Sequence, residues 1–172
     1  MVVVIMGTTG SGKTTVGRLL AERLGWESAD ADDFHSPANI ERMKRGIPLT
    51  DADRAPWLKA MHDKIVLWIS EKKNVVLACS ALKQSYRDEL LVSSDVKLVY
   101  LKGTYELLYR RLLSRKRHFA NEKLLASQFE TLEEPTDALT IEVTHPPEEI
   151  VAEICRGLGL DQLKSSPRPD ST

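Results

Sequence analysis

The sequence predicts an α/β protein in which a five-stranded parallel sheet lies between two layers of helices. Five short apolar runs alternate along the chain with segments of helical periodicity. Strands separated by helices pair in parallel, because a parallel crossover needs about the length of a helix. The first apolar run passes directly into the glycine-rich sequence G-T-T-G-S-G-K-T at residues 7–14, and a helical segment follows at once. That order of strand, turn and helix strengthens the prediction.

The first half of the chain supplies two strands and three helices. Val2–Met6 is a run of apolar, mostly β-branched side chains and predicts a buried strand, which a helix at Lys13–Leu24 follows. Trp26–Asp30 predicts a short second strand, and a short polar helix is expected at 38–45. Asp51–Lys72 predicts a long helix, because apolar residues recur along it at helical spacing. These residues are Trp57, Leu58, Met61, Ile65, Trp68 and Ile69.

The second half continues the alternation. Asn74–Cys79 contains the apolar run V-V-L-A and predicts the third strand, followed by a helix at Lys83–Leu91. Val96–Leu101 predicts the fourth strand, and Tyr105–Arg115 an arginine-rich helix. The remaining predictions are an irregular basic segment at Lys116–Asn121, a helix from Glu122 to about Leu132, a strand at Leu139–Val143 and a helix from Pro146 to about Gly157.

The composition is typical of one globular domain. A chain of 172 residues, 42% hydrophobic and 28% charged, is long enough to bury a core. We expect a single domain at 1–160 with a mobile lid at about 116–126. The tail at 161–172 is rich in Ser, Pro and Asp, so we expect it to be flexible.

Charge, cysteine usage and hydropathy exclude several classes of partner and location. A formal net charge of −1 argues against nucleic acid or an anionic membrane as the main partner. Cys79 and Cys155 are far apart and lack the spacing of metal ligands, which favours reduced thiols. The first predicted strand begins at residue 2, and the apolar runs are too short to cross a bilayer. We therefore expect a cytoplasmic protein.

The glycine-rich turn predicts a phosphate-binding loop. Residues 7–14 match G-x-x-x-x-G-K-[ST], whose consecutive backbone N–H groups face one concavity and hold phosphate oxygens. In this loop Lys13 would neutralise the β- and γ-phosphates of ATP or GTP, and the Thr14 hydroxyl would ligate Mg²⁺. The alternative is a glycine turn that only joins two elements. The residues predicted to bind the nucleotide here are Gly7, Thr8, Thr9, Gly10, Ser11, Gly12, Lys13, Thr14 and Thr15.

Two carboxylates follow the second predicted strand. Asp30 and Asp32 are two residues apart, so their side chains share a direction if the backbone is extended. One can hold magnesium through water, and the other can accept the proton of an attacking hydroxyl. The alternative for each is a helix cap or a solvated loop. The run at Val75–Cys79 ends in Cys-Ser rather than in the acid typical of motor ATPases and GTPases, so we assign the metal to Asp30.

Basic residues near the predicted lid could neutralise the transferring phosphoryl group. Arg111 and Arg115 are four residues apart and share a helix face, from which the chain runs into the basic lid segment. A lid that closes over ATP would exclude water and bring these charges to the phosphates. A solvated basic face is the alternative, and we favour it for Arg110. For Arg117 neither interpretation is favoured.

Polar residues near the second and third strands could bind an acceptor. Arg54, Lys83 and Arg87 could bind an anionic group, and a guanidinium suits a carboxylate because it donates two parallel hydrogen bonds. His35 could hydrogen-bond a hydroxyl. A surface salt bridge is the alternative for each of these residues.

Several segments resemble the gluconate kinases, small P-loop sugar-acid kinases related in fold to shikimate and nucleoside monophosphate kinases. The resemblance runs from residue 2 to about residue 155 in the expected order. The segments are D-A-D-D-F-H at 30–35, G-I-P-L-T-D-A-D-R-A-P-W-L at 46–58, C-S-A-L-K-Q-S-Y-R-D-E-L at 79–90, Y-L-K-G at 100–103 and H-F-A-N-E-K-L-L-A-S-Q-F-E-T-L-E-E-P at 118–135.

The resemblance implies a three-layer P-loop kinase fold, a homodimer, and Mg²⁺-dependent phosphorylation of D-gluconate by ATP to 6-phospho-D-gluconate. It also implies site roles. Asp32 would contact the acceptor hydroxyl, Asp30 the metal shell, Arg54 and the Ser80–Lys83 loop gluconate, Arg115 the phosphates and Arg111 the nucleotide. Arg117 departs from the family, in which a small residue, often Gly, precedes His-Phe.

Two other functions remain open. A P-loop kinase could act on another small acceptor, such as shikimate or a nucleoside monophosphate. Shikimate kinases carry a glycine triplet where this chain has Cys79-Ser80-Ala81, which counts against shikimate. A nucleotide-binding regulator without transferase activity is the third possibility, and the set of Lys13, Asp30, Asp32 and the lid arginines counts against it.

Overall fold

The computed structural model describes residues 1–45, 47–114 and 118–161. In these ranges five strands form one parallel sheet in the order β2-β3-β1-β4-β5. The strands are β1 (Val2–Met6), β2 (Glu27–Asp30), β3 (Val75–Ala78), β4 (Val96–Lys102) and β5 (Leu139–Glu142). The helices are α1 (Lys13–Leu24), α2 (Pro37–Lys44), α3 (Asp51–Ser70), α4 (Gln84–Leu90), α5 (Tyr105–Leu113), α6 (His118–Thr131) and α7 (Pro147–Gly157), with a 3₁₀ turn at Ala31–Phe34.

The central strand β1 pairs with β3 and β4, and its five residues are fully buried. Side chains alternate between the two faces of a strand, so β1 contributes to two separate apolar clusters. Val2, Val4 and Met6 join the cluster formed with α3, whereas Val3 and Ile5 join the cluster formed with α1, α5 and α7. Both faces of the sheet are thus covered by helices, which explains the uninterrupted apolar sequence of β1 and confirms the three-layer α/β prediction.

Most predicted elements are present within one or two residues of their predicted ends. The long helix ends at Ser70 rather than at Lys72, since Lys72 takes a left-handed conformation with φ of 54° that a helix cannot contain. Trp57 and Trp68 lie in the apolar core, as their spacing predicts. Cys79 and Cys155 are buried and not bonded to each other.

The start of α6 differs from the prediction. The sequence predicts irregular backbone up to Asn121, but α6 begins at His118. Residues 118–121 contain no glycine or proline, so nothing in their sequence prevents the helix from extending to them. Part of the predicted lid at 116–126 is therefore helical, and residues 115–117 lie outside the described ranges.

The sheet topology brings three loops to one edge. Residues 7–12 follow β1, residues 31–36 follow β2, and residues 79–83 follow β3. These strands are parallel neighbours, so their carboxyl ends meet at the edge where open α/β sheets bind ligands. Within the described part of the chain, no helix combines the length and the apolar character needed to cross a membrane.

Candidate active site

The loop after β1 forms an open cradle of backbone amides. Gly7, Gly10 and Gly12 have φ of 149°, 79° and 93°, conformations that residues with a side chain rarely adopt. A β-carbon on Gly7 would lie 2.8 Å from the carbonyl oxygen of Leu101, so this position also lacks room for one. The loop therefore has the backbone shape expected of a phosphate-binding turn.

The amino end of α1 is arranged to hold an anion. No side chain caps this end, and its first turn contains no acidic residue, so the positive end of the helix dipole is left for a ligand. The Lys13 ammonium donates to the carbonyl oxygen of Thr8 at 3.0 Å, which keeps it folded against the loop. The Ser11 hydroxyl is buried and has no hydrogen-bond partner among the described residues. A phosphate oxygen in the cradle would provide one.

Asp30 connects this cradle to the loop after β2. Its Oδ2 accepts from the Thr14 hydroxyl at 2.9 Å, and its Oδ1 accepts from the Asp32 backbone N–H at 3.0 Å. The sequence predicted these three residues at one site, and the structure brings them together. The hydrogen bond from the Asp32 N–H makes Asp30 the cap of the 3₁₀ turn, which is the capping alternative, and the metal role of Asp30 stays a prediction.

Asp32 and His35 have shifted pKa values. The pKa of Asp32 is raised from its ordinary value of 3.8, mainly because surrounding protein atoms desolvate its carboxylate and secondly because Asp30 repels its charge. The Asp32 residue nevertheless remains exposed to solvent. Desolvation lowers the pKa of His35. The site thus contains a carboxylate that is more basic than usual beside an imidazole that is less basic than usual.

His35 is held against the core by an aromatic stack. Its ring lies parallel to that of Trp57, with centroids 4.7 Å apart and an interplanar angle of 6°. The Trp57 indole N–H donates to the carbonyl oxygen of Ala31 at 2.7 Å, which ties α3 to the turn that contains Asp32. The His35 Nδ1 atom is buried and has no hydrogen-bond partner among the described residues.

Two of the three predicted acceptor cations, Arg54 and Lys83, lie close to a carboxylate that the sequence did not single out. Asp51 accepts from Lys83 Nζ at 2.9 and 2.8 Å and from the Tyr86 hydroxyl, and Arg54 Nη1 lies 3.8 Å from it. Hydrogen bonds from Lys83 and Tyr86 lower the pKa of Asp51. The segments D-A-D-R and K-Q-S-Y-R contain these residues, but only the packing of α3 against α4 shows that they meet. Ser80 follows β3 at the same edge and is half-buried.

Arg87 does not fit the predicted acceptor role. Its side chain is 1% exposed, and its guanidinium donates to the carbonyl oxygens of Ala81 and Leu82 at 2.9 and 3.1 Å and to Gln84 Oε1 at 2.7 Å. Sequence reasoning placed Arg87 with Lys83 because both carry positive charge. However, Arg87 lies on the inner face of α4, where it holds the loop after β3 rather than facing a ligand.

The lid arginines are only partly described. Arg111 is half-buried and donates from Nη2 to the carbonyl oxygen of Val143, next to the end of β5. Arg110 is exposed, as its position on the helix predicts. Arg115 and Arg117 lie outside the described residues, so their predicted roles stay predictions.

A residue that sequence reasoning missed contacts the phosphate loop. Gln128 of α6 accepts from the Thr9 backbone N–H through Oε1 at 2.6 Å. It belongs to the segment Q-F-E-T-L-E-E-P, which supports the family resemblance, but no role was assigned to any of its residues.

The donor set fits a magnesium–nucleotide complex rather than a metal held by protein alone. No group of three or more His, Cys, Asp or Glu side chains within 1–45, 47–114 and 118–161 could hold a metal ion. Thr14 and Asp30 offer hard oxygen atoms beside the amide cradle, and Mg²⁺ commonly takes one or two protein oxygens together with phosphate oxygens and water. The buried, unpartnered Ser11 hydroxyl is likewise consistent with a phosphate in this loop.

Known proteins with a similar sequence and structure place the chain in a family. A family model described as an AAA domain matches residues 3–133. A probable gluconokinase of Mus musculus is 45% identical, with 78% of this chain and 83% of the relative covered. The thermoresistant gluconokinase of Escherichia coli strain K12 is 41% identical, with coverages of 87% and 88%.

A solved structure agrees with these relatives. The crystal structure of a gluconokinase from Sinorhizobium meliloti 1021 superimposes with a TM-score of 0.81 at 41% identity, and the match covers 92% of this chain and 91% of that one. The chain therefore belongs to the gluconokinase family of P-loop kinases.

Proposed function

We propose that this protein transfers the γ-phosphoryl group of ATP to the 6-hydroxyl of D-gluconate, giving ADP and 6-phospho-D-gluconate. The observation that carries the proposal is the position of Asp30, which accepts hydrogen bonds from Thr14 in the nucleotide loop and from the backbone of Asp32. One carboxylate thus couples the cradle to the acid that would receive the acceptor's proton. The acceptor's identity rests on membership of the gluconokinase family.

The nucleotide would lie in the loop at residues 7–15. Backbone amides of this loop and the Lys13 ammonium would bind the β- and γ-phosphates. Thr14 would ligate Mg²⁺ through its hydroxyl oxygen and Asp30 through water, and the bound ion would neutralise charge on the phosphates. Arg111 would contact the nucleotide, and Arg115 would contact the transferring phosphoryl group.

Asp32 would act as the general base. As the sugar hydroxyl attacks phosphorus, its proton passes to the Asp32 carboxylate, while the bond between the γ-phosphorus and the leaving oxygen of ADP breaks. The raised pKa of Asp32 suits this role, because a more basic carboxylate accepts a proton more readily. Backbone amides and Lys13 are fixed before the reaction, so they stabilise the developing charge without reorganising.

The sugar acid would bind between Asp32 and two cations, Arg54 in the first turn of α3 and Lys83 just before α4. Arg54 and Lys83 are each about one-third exposed and both lie close to Asp51, so they form one positive patch open to solvent. The carboxylate of gluconate would bind to these two cations, either together with the Asp51 carboxylate or in its place. Ser80 and His35 are both partly exposed, and they would hydrogen-bond the hydroxyls between the two ends of the substrate.

A coupled ADP-release assay over a panel of acceptors tests the proposal. The panel contains D-gluconate, related aldonates, shikimate and nucleoside monophosphates, each with Mg²⁺ and ATP. We expect the highest kcat/KM for gluconate and a product that is 6-phosphogluconate by mass and NMR. The Lys13→Ala variant, purified in the same way, measures activity from contaminating kinases.

Three outcomes would contradict the proposal in different ways. Preference for shikimate or a nucleoside monophosphate would keep the kinase chemistry but change the acceptor. Equal slow ADP release with every acceptor would favour a nucleotide-binding regulator. Turnover that survives removal of Mg²⁺ by a chelator would exclude the metal role of Thr14 and Asp30.

Two further features come from the sequence and the family resemblance. A homodimer is expected, and sedimentation velocity over a range of protein concentrations tests it. A cytoplasmic location also stays a prediction, which cell fractionation with an antibody to the chain can check.

A further inference from the structure

The phosphate loop is contacted by a side chain distant in sequence. Gln128 lies in α6, 119 residues after Thr9, and its Oε1 accepts from the Thr9 backbone N–H at 2.6 Å in a partly buried contact. Amides of this loop are the groups expected to face the phosphates. The side-chain amide of Gln128 therefore lies at the cradle itself.

The segment that follows Gln128 is anchored at both neighbouring loops. The Glu133 backbone N–H donates to the carbonyl oxygen of Leu82 at 2.9 Å, and Glu133 Oε2 accepts from the Gln84 backbone N–H at 2.6 Å. Glu134 accepts at 2.8 Å from the Nζ of Lys102, the last residue of β4. These contacts fix the carboxyl end of α6 against the sheet edge, so the position of Gln128 over the loop is defined before any ligand binds.

A carboxamide has a second group that this hydrogen bond leaves unused. The oxygen of Gln128 is directed to Thr9, and the NH₂ group on the same carbon can donate two hydrogen bonds. Among the hydrogen bonds of the described residues, neither proton of this group has an acceptor. A γ-phosphate oxygen in the cradle would carry a full or partial negative charge. An amide N–H forms a strong hydrogen bond to such an acceptor.

We propose that Gln128 is a γ-phosphate-contacting residue that distinguishes ATP from ADP. It accepts from the Thr9 N–H through Oε1 and donates from Nε2 to a terminal phosphate oxygen. The inference rests on the proposed use of ATP, and it gives a function to the Q-F-E-T-L-E-E-P segment.

The experiment compares the binding of two nucleotides without any acceptor. Isothermal titration calorimetry with Mg²⁺ gives the Kd of ADP and of the non-hydrolysable ATP analogue AMPPNP for the whole chain and for Gln128→Glu. The substitution keeps an oxygen acceptor for Thr9 but replaces the phosphate donor by a negative charge. Ser127→Glu adds the same charge at the neighbouring exposed position of α6 and is the matched control.

We expect Gln128→Glu to raise the ratio of the AMPPNP Kd to the ADP Kd by about tenfold or more, the usual effect of losing a hydrogen bond to a charged group. In Ser127→Glu this ratio should change less than about twofold, because exposed charges are screened by salt. The melting temperature of Gln128→Glu should stay close to that of the wild type.

Gln128→Met serves as a second variant of similar size that removes the donor without adding a charge. It should also raise the ratio, and it replaces Gln128→Glu if that variant fails to fold. An equal rise in the Kd of AMPPNP and of ADP would show that Gln128 only supports the loop. A lowered ratio would show that it blocks the cradle and is displaced by the phosphate. Either result would overturn the inference.

The acceptor proposal can fail independently of this one. If the wild type binds AMPPNP more tightly than ADP but does not phosphorylate gluconate, only the choice of acceptor is wrong. If the wild type binds neither nucleotide, the phosphate-loop assignment and the role of Gln128 both fail.

Discussion

Replacing Arg87 by alanine is expected to destabilise the fold, although the sequence alone suggested a role in binding the acceptor. The guanidinium is almost completely buried and donates three hydrogen bonds, to the carbonyl oxygens of Ala81 and Leu82 and to the side chain of Gln84. Ala81 has a left-handed φ of 44°, so the loop adopts a conformation that is unfavourable by itself. The contacts of Arg87 offset that cost.

The expected change in the free energy of unfolding is the difference between the favourable hydrogen bonds of Arg87 and the cost of burying its charge. Each hydrogen bond from a charged donor stabilises a protein by about 1.5–3 kcal/mol, so three contribute roughly 5–9 kcal/mol. Burial of the guanidinium costs several kcal/mol, and within the described residues its acceptors are uncharged and its Nε has no partner. We therefore expect Arg87→Ala to lower the free energy of unfolding by about 2–4 kcal/mol. With a urea m-value of about 2 kcal/mol/M, the unfolding midpoint would fall by about 1–2 M.

Urea unfolding followed by circular dichroism measures this change. Arg110→Ala is the control, because Arg110 is exposed and its loss should change the free energy of unfolding by less than about 0.5 kcal/mol. The two hypotheses for Arg87 give opposite results. An unchanged urea midpoint combined with a raised KM for gluconate would refute the structural role and restore the acceptor role.

Three further substitutions test the site. Lys13→Ala should reduce kcat by about 10²–10³-fold or more while the melting temperature stays near that of the wild type, since the ammonium acts on the transition state; a loss of less than tenfold would contradict its role. Asp32→Asn should reduce kcat by about 10²–10⁴-fold and change the Kd for AMPPNP little, as calorimetry can verify. The raised pKa of Asp32 means that its carboxylate becomes protonated at a pH above 3.8 as the solution is acidified. Wild-type kcat/KM should therefore begin to fall at a pH above 3.8. A decrease that begins only at or below pH 3.8 would exclude Asp32 as the base. Arg54→Ala should raise the KM for gluconate by about tenfold and leave that for ATP nearly unchanged, and equal effects on both substrates would mean that Arg54 does not bind the acceptor.

The positions of candidate site residues were predicted best where those residues are close together in the sequence. The phosphate loop and the acidic pair each lie within one short segment, so local backbone geometry places their groups relative to one another. Asp30 contacts both Thr14 and the Asp32 backbone, so these three predicted residues lie together, and their metal and base roles stay predictions. The predicted strand ends were also nearly correct, and they brought the two segments to one edge of the sheet.

Residues on helices were harder to assign. Lys83 and Arg87 are four residues apart near the start of α4, yet Lys83 reaches the open site and Arg87 is buried. A helical spacing gives the angle between two side chains but not which of them faces the neighbouring element. Asp51 was missed for a related reason, because its cationic partner Lys83 lies 32 residues away on another element.

The sequence by itself determined the architecture and the phosphate-binding loop of this protein. A strand, a glycine-rich turn and a helix are specified by local backbone preferences and by burial, which are readable from consecutive residues. Only the tertiary structure decided which charges are structural and which are available to a ligand, and it alone brought Gln128 to the Thr9 amide. Contacts between distant segments depend on how helices pack on the sheet, and that packing is set by the whole core rather than by any one segment.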